Sequence, residues 1–369
     1  MYFKLTKYLL IANCLFFSSA IAQTTLSKSQ IDSIENIITR EMANQHIPGL
    51  SIAISIDTNI VWKNAYGMSD IENSVPMTTN TKLRTASIGK PMTATAIMQL
   101  YEKGIINLND SVQKYYSLFP SKNWPISIYQ LLTHQSGIRP YHDGEVINHQ
   151  HYKNVCDALS IFANDTLLFK PGTNYSYTSF NYNLLGCVLQ QVSKTDYYTF
   201  MCKNVFEPSK MNATVLDDVN SLIEDRASGY RYNTQNKILE NSNFHDPSDR
   251  IPAGGFLTTP TDLAKFAIAV YDGKLISQKT FSEMILNPKL PNGSFSGYGI
   301  GWGLYEPNDK FHGYTEVFHG GQTPGVSNML VLFLSSNKKV SIAIMTNLEG
   351  VQRRGEICEK IFEMILDNK

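Results

Sequence analysis

The sequence is poor in charge and has no surplus of either sign: lysine plus arginine and aspartate plus glutamate each total 32 of 369 residues, and charged side chains make up only 17%. Without a basic surplus it lacks the electrostatic footprint for nucleic acid or an anionic membrane surface, so neither is expected as a partner. Cysteine is scarce, five in all, and none stands in the close pairs of a zinc site. No metal or organic cofactor is expected. Internal repeats and low-complexity segments are missing, and past the N-terminus no apolar run is long enough to span a bilayer, so no stable membrane span is expected. What the chain does have is 43% hydrophobic residues, enough to bury a large core, which excludes a disordered chain. Nothing in the composition sets an oligomeric state.

The first 22 residues, "MYFKLTKYLLIANCLFFSSAIA", place Lys4 and Lys7 before an apolar stretch and end on Ala20-Ile21-Ala22. This is the layout of a cleavable export signal, and the expected product is exported, periplasmic or secreted, after cleavage near Ala22. Cys14 lies inside the apolar stretch, a poor place for a lipid anchor. The remaining Cys156, Cys187, Cys202 and Cys358 could form up to two disulfides in an oxidising compartment, with three connectivities open. Cys187, in "LLGCVLQQV", reads equally well as a core thiol.

Residues 27 to 45 place Ile31, Ile34, Ile37, Ile38 and Met42 at helical spacing behind a serine-rich start, which predicts an amphipathic helix. "GLSIAISIDTNIVWKNAYG" then alternates on both sides of Asp57-Thr58-Asn59, the pattern of two antiparallel strands and a tight turn. Residues 328 to 347 repeat that pattern, and "RRGEICEKIFEMILD" closes the chain as a helix. The expected fold is α+β: one antiparallel sheet built from both chain ends with the terminal helices packed on it. A mostly helical lobe, about 88–250, is inserted into a single domain spanning 23–369. A pocket is expected between the two parts.

Within "LRTASIGKPMTATAIMQLYEKG" Lys90 follows Ser87 by three residues, so both share one face if a helix starts there. Alone, S-x-x-K is a weak signal, for which an N-cap serine beside a solvated lysine is the plainer reading. Two further elements accompany it: Tyr177-Thr178-Ser179 after the Pro-Gly turn of "KPGTNYSYTSFNYNLLG", and His319-Gly320-Gly321-Gln322 in "VFHGGQTPGVSN". The two glycines leave room for a substrate backbone beside that strand. A serine hydroxyl needs a neighbour to take its proton, and Lys90 and Tyr177 are the candidate bases.

In this order the three elements resemble the serine β-lactamase and penicillin-recognising hydrolase superfamily, in particular its branch of class C β-lactamases, D-alanyl-D-alanine carboxypeptidases and esterases. "IPGLSIAI", "YGMSDIENSVPMT", "LLTHQSG", "PAGGFLTTPTDLAKF" and "YGIGWGL" extend the resemblance from about residue 30 to the last strand. It implies a β-lactamase/transpeptidase-like fold and an acyl-enzyme on Ser87, with Lys90 and Tyr177 as its hydrogen-bonded partners. The oxyanion hole it implies is the backbone N–H of Ser87 and of Gln322. The substrate it implies is a small amide or ester, D-amino-acid peptides included. A β-lactamase and a sensor or pseudoenzyme that acylates without turnover are the alternatives.

This chain departs from the family at two positions. His319 stands where many members carry lysine, and a neutral imidazole stabilises a tyrosine anion less than an ammonium does. Lys90 is therefore the expected first proton acceptor, with Tyr177 passing the proton on. Ser179 replaces the usual asparagine, and a hydroxyl reaches fewer partners than an amide, which disfavours the β-lactamase. Asn181 reads as a polar residue opening the next helix, His134 as a structural histidine, and His142, His149 and His151 as a solvated loop. Tyr141 and Trp302 read either as cleft-lining or as packing residues.

Overall fold

A computed structural model describes residues 25–305, 311 and 313–366. The expected export signal lies outside the described residues. Seven strands form an antiparallel sheet: β1 (Gly49–Ile56), β2 (Asn59–Asp70), β3 (Val75–Pro76), β4 (Gly303–Leu304), β5 (Thr315–Thr323), β6 (Val326–Leu334) and β7 (Lys339–Thr346). Their spatial order is β3-β2-β1-β7-β6-β5-β4. Both hairpins expected from the sequence are present, and β1 pairs with β7, setting Ile54 opposite Ile342 and Ser55 opposite Ser341. The two chain ends thus meet in the middle of one sheet.

The central strands alternate large and small residues, and the alternation sets what covers each face. Leu50, Ile52, Ile54 and Ile56 share one face with Val331, Phe333, Ile342 and Ile344. Against them pack α1 (Lys28–Gln45) and α5 (Arg354–Leu366) through Ile34, Ile37, Ile38, Ile361 and Phe362. The other face offers Ser51, Ala53 and Ser55 in β1 and Ser341 and Ala343 in β7, small enough for α4 (Pro260–Tyr271) to lie close. The Ser55 and Ser341 hydroxyls share a 2.6 Å hydrogen bond, so these buried polar groups are satisfied. At the start of α1, Ser27 Oγ accepts from the Gln30 N–H and Gln30 Oε1 from the Ser27 N–H, a capping box. The Gln30 amide also donates to the Met364 carbonyl at 2.9 Å, tying the two terminal helices together.

The helices on the other side centre on α2 (Gly89–Glu102), buried at every position from Gly89 to Leu100, the polar Lys90, Thr93, Thr95 and Gln99 included. α3 (Ser179–Ser193) packs against it, with shorter helices at Ile128–Leu132 and Tyr197–Met201. Cys156 and Cys187 form a disulfide, while Cys202 and Cys358 are free. Two small β elements were not expected: a patch of Leu83–Arg84, Phe256–Thr258 and Val215–Leu216, and a hairpin of Tyr230–Asn233 with Ile238–Asn241. Runs of two to four residues are too short for alternation to register. Trp302 is fully buried beside Phe266 and Phe281, so it belongs to the core and not to the cleft. No helix among the described residues is long and apolar enough to cross a membrane.

Phe362 stacks on Phe333 with ring centroids 3.8 Å apart, and both are fully buried. Phe362→Ala is expected to cost about 3–5 kcal/mol of stability, read from urea denaturation; a loss below about 1 kcal/mol would show that the terminal helices do not hold the sheet.

Candidate active site

Ser87 sits in a 3-10 turn, Ala86–Ile88, that leads directly into α2. Ala86 holds a left-handed backbone, φ 46°, unusual for a residue with a Cβ. Its carbonyl lies against Gly254, where a Cβ would collide with it. The turn presents the Ser87 side chain to the cleft while Lys90, one turn on, points into the protein. Lys90 is 0% exposed. Its amine has three partners: the Ser87 hydroxyl at 2.9 Å, the Ser179 hydroxyl at 3.1 Å and the Ala253 carbonyl at 3.3 Å. Burial, reinforced by the positive charge of Arg250, holds its pKa well below the ordinary lysine range.

Tyr177 lies in the extended segment before α3, where Thr178 caps the helix. Its ring centroid is 4.9 Å from the Lys90 nitrogen and 4.4 Å from the His134 ring. The residue keeps 37% of its surface exposed, yet the atoms crowded round its hydroxyl push its pKa well above the usual phenol range, an effect the Ser87 hydroxyl partly offsets. The Ser87–Lys90 pair and the Tyr177–Ser179 pair, far apart in the chain, are therefore brought together.

His319 and Gly320-Gly321-Gln322 lie on β5. His319 Nδ1 is 2.7 Å from the Gly320 carbonyl, which only accepts, so that nitrogen carries the proton, and Nε2 accepts from the Tyr298 hydroxyl at 2.9 Å. Burial is the chief cause that lowers its pKa to about 3. Neither nitrogen is left for a substrate. Gly321 is where β5 meets the Ser87 turn: a Cβ there would stand 2.5 Å from the Thr85 carbonyl. The space at Gly321 thus admits the protein's own backbone, whereas a Cβ on Gly320 would meet only ordinary contacts.

The remaining sequence candidates fall into place around this centre. His134 Nδ1 accepts from the Thr178 N–H at 3.3 Å and from the Asn181 amide at 3.1 Å, and Asn181 Oδ1 accepts from Ser136. Both are buried supports of the Tyr177 segment, and Asn181 does not stand in for the asparagine the family places at Ser179. His151 bonds Asp246 and His149 packs on Phe244, and no His/Cys/Asp/Glu group among the described residues could hold a metal. Two cavities flank Ser87. One, about 460 Å³, is lined by Tyr175, Tyr177, Tyr298, Phe318, His319 and Arg354 among others; the other, about 200 Å³, includes Tyr141, Ser179, Arg250 and Thr323. Tyr298, Arg250 and Arg354 were missed from the sequence. Tyr298 lay in a motif string without being singled out.

The β-lactamase family model matches residues 34–360. The chain belongs to the β-lactamase family. It is 25% identical to human mitochondrial serine beta-lactamase-like protein LACTB, over 87% of this chain and 77% of that protein. To protein flp of Staphylococcus aureus (strain N315) it is 27% identical, over 94% and 68%. The octameric penicillin-binding protein homologue from Pyrococcus abyssi superposes with a TM-score of 0.78 at 27% identity, over 91% of this chain and 77% of that one. A D-amino acid amidase from Ochrobactrum anthropi SV3 shares the fold, with a TM-score of 0.79 at 20% identity over 92% and 100%. The β-lactamase-like fold is thus established, as is membership of a superfamily of serine hydrolases.

His134, His245 and His319 are all buried and held neutral. The His134 pKa is lowered well below 6.5, chiefly by burial, and that of His245 falls to about 2, again chiefly by burial. The unfolded chain takes up these protons near pH 6.5, so their stabilisation is complete above that value and is lost as pH falls towards the folded pKa values. Between pH 7 and pH 5.5 the three are expected to remove about 4 kcal/mol of stability, at roughly 1.4 kcal/mol per pH unit for each. Urea denaturation at the two pH values checks this, and an unchanged stability would contradict neutral burial.

Proposed function

We propose that this protein is a serine hydrolase that forms an acyl-enzyme on Ser87 with small amides or esters. The observation that carries the reading is the fully buried Lys90 amine 2.9 Å from the Ser87 hydroxyl at the floor of a cleft. All three of its partners, the Ser87 and Ser179 hydroxyls and the Ala253 carbonyl, can accept; in the neutral amine the two N–H groups serve Ser179 and Ala253 and the lone pair is turned to the Ser87 O–H. Lys90 is then the base that takes the Ser87 proton as its oxygen attacks the carbonyl carbon. Tyr177, whose raised pKa keeps it a neutral phenol, relays a proton to the leaving nitrogen or oxygen and recovers one from Lys90. The N–H groups of Ser87 and Gln322 hold the oxyanion, an arrangement supported by the close approach of β5 to the Ser87 turn at Gly321. Water then cleaves the ester.

Arg354 supports D-amino-acid peptides among the substrates. It lines the larger cavity, and among the described residues its guanidinium donates to the Gly321 carbonyl at 3.3 Å and to Gln322 Oε1 at 3.5 Å. A carboxylate on the leaving half of a peptide would complete it.

A fluorophosphonate probe is expected to label Ser87, and p-nitrophenyl acetate to give a transient acyl adduct in intact-mass spectra. Lys90→Met is expected to slow acylation by that ester about 10²–10⁴-fold. Tyr177→Phe is expected to spare it, because p-nitrophenolate departs without a proton, while slowing amide hydrolysis. Full acylation in Lys90→Met with loss in Tyr177→Phe would reverse the two roles. A stable stoichiometric adduct would favour a sensor, and rapid nitrocefin turnover a β-lactamase.

A further inference from the structure

The backbone N–H groups of the residues on either side of Tyr177 are both held by His134. The Ser176 N–H donates to the His134 carbonyl at 2.9 Å, and the Thr178 N–H donates to His134 Nδ1 at 3.3 Å. The His134 ring also lies against the Tyr177 ring, with centroids 4.4 Å apart. Tyr177 itself belongs to no helix or strand, so it lacks the ladder bonds that would otherwise fix its backbone. One residue thus grips Tyr177 before it, after it and along its ring.

His134 does this in a way that packing alone does not explain. It is 0% exposed, yet its backbone is left-handed, φ 56°, a conformation that favours glycine or asparagine. Because Nδ1 accepts from the Thr178 N–H and from the Asn181 amide, the proton of the neutral ring sits on Nε2. That buried donor has no hydrogen-bond partner among the described residues. Burial keeps the ring neutral, and only a neutral ring leaves Nδ1 able to accept. Asn181 is fixed in turn, since its Oδ1 accepts from Ser136 Oγ at 2.7 Å, which turns its amide to the ring. A strained backbone and an unmet donor on one residue mark a place where the fold gives up stability for placement.

From this grip we infer that His134 is the positioning residue of Tyr177, holding the phenol where it can hand its proton to the leaving group. The inference rests on the reading of Tyr177 as the proton relay of a serine hydrolase. In that step the bond from the tetrahedral carbon to the leaving oxygen or nitrogen breaks, and its electron pair stays with the leaving atom. That atom takes the Tyr177 proton, and the Lys90 ammonium returns one to the phenolate. His134 lines neither cavity beside Ser87, so it acts on this step through Tyr177. Misplacing a reacting group by about 1 Å can cost about a hundredfold in rate.

Two acetate esters separate this role from support of the fold. p-Nitrophenyl acetate expels its phenolate without a proton, whereas benzyl acetate needs its leaving oxygen protonated, and both put the same acetyl group on Ser87. The ratio of their kcat/KM values does not depend on how much of a variant is folded. His134→Phe keeps an aromatic ring and removes the Nδ1 acceptor; it is expected to lower the benzyl-to-nitrophenyl ratio at least about tenfold, and Tyr177→Phe to lower it further. His134→Asn offers Oδ1 in place of Nδ1 and tolerates the left-handed backbone, and is expected to keep the ratio within about threefold of the unmodified protein. An equal fall with both esters in His134→Phe, the mark of a merely structural role, would overturn the inference, as would a His134→Asn ratio no better than that of His134→Phe. Tyr177→Phe tests the reading beneath it: an unchanged ratio there overturns the relay and the inference together. A lowered ratio in Tyr177→Phe with an unchanged one in His134→Phe overturns only the positioning role.

Discussion

An amine buried beside a hydroxyl, with no carboxylate among the described residues bonded to it, is the constraint on which this structure turns. Lys90 bonds two hydroxyls and one carbonyl and no acid, and a cation so enclosed would be held far from water at a cost of several kcal/mol. The way out is loss of the proton, and a neutral lysine beside a serine is a base. Stability and chemistry thus share one cause: the packing of α2 into the middle of the molecule, which closes solvent off from position 90.

Much of the scaffold serves that one placement. The alternation of large and small residues in β1 and β7 lets the terminal helices bury one face of the sheet and α4 approach the other. β5 at the far side of that sheet then runs against the Ser87 turn, and Gly321 removes the one Cβ that would keep strand and turn apart. His319 takes the place lysine holds in many relatives, and Tyr298 and the Gly320 carbonyl occupy both its nitrogens. Position 319 therefore offers Tyr177 no cation, which is why we propose Lys90 as the proton acceptor.

The sheet and its hairpins were legible because runs of eight or more residues with strict alternation leave few other packings. So was the Ser87–Lys90 pair, because a three-residue spacing at a helix start fixes proximity locally. Tyr177 could be chosen among 20 tyrosines only through its motif. The Cys156–Cys187 bridge was not legible, since three connectivities satisfy the same sequence. Arg354, Arg250 and Tyr298 stayed hidden for a related reason: each is an ordinary residue in its own segment, whereas Tyr141, read as cleft-lining or packing, does line the smaller cavity. Trp302 shows the converse, a large aromatic near a motif that the core simply absorbed.

The most direct test of the central claim is the ionisation of Lys90 itself, followed by the ¹³Cε and ¹⁵Nζ shifts of that side chain through a pH titration of the intact protein, assigned with Lys90→Met. A midpoint well below that of an exposed lysine is the predicted result. A side chain that stays cationic up to about pH 10, as an ordinary lysine does, would contradict the account.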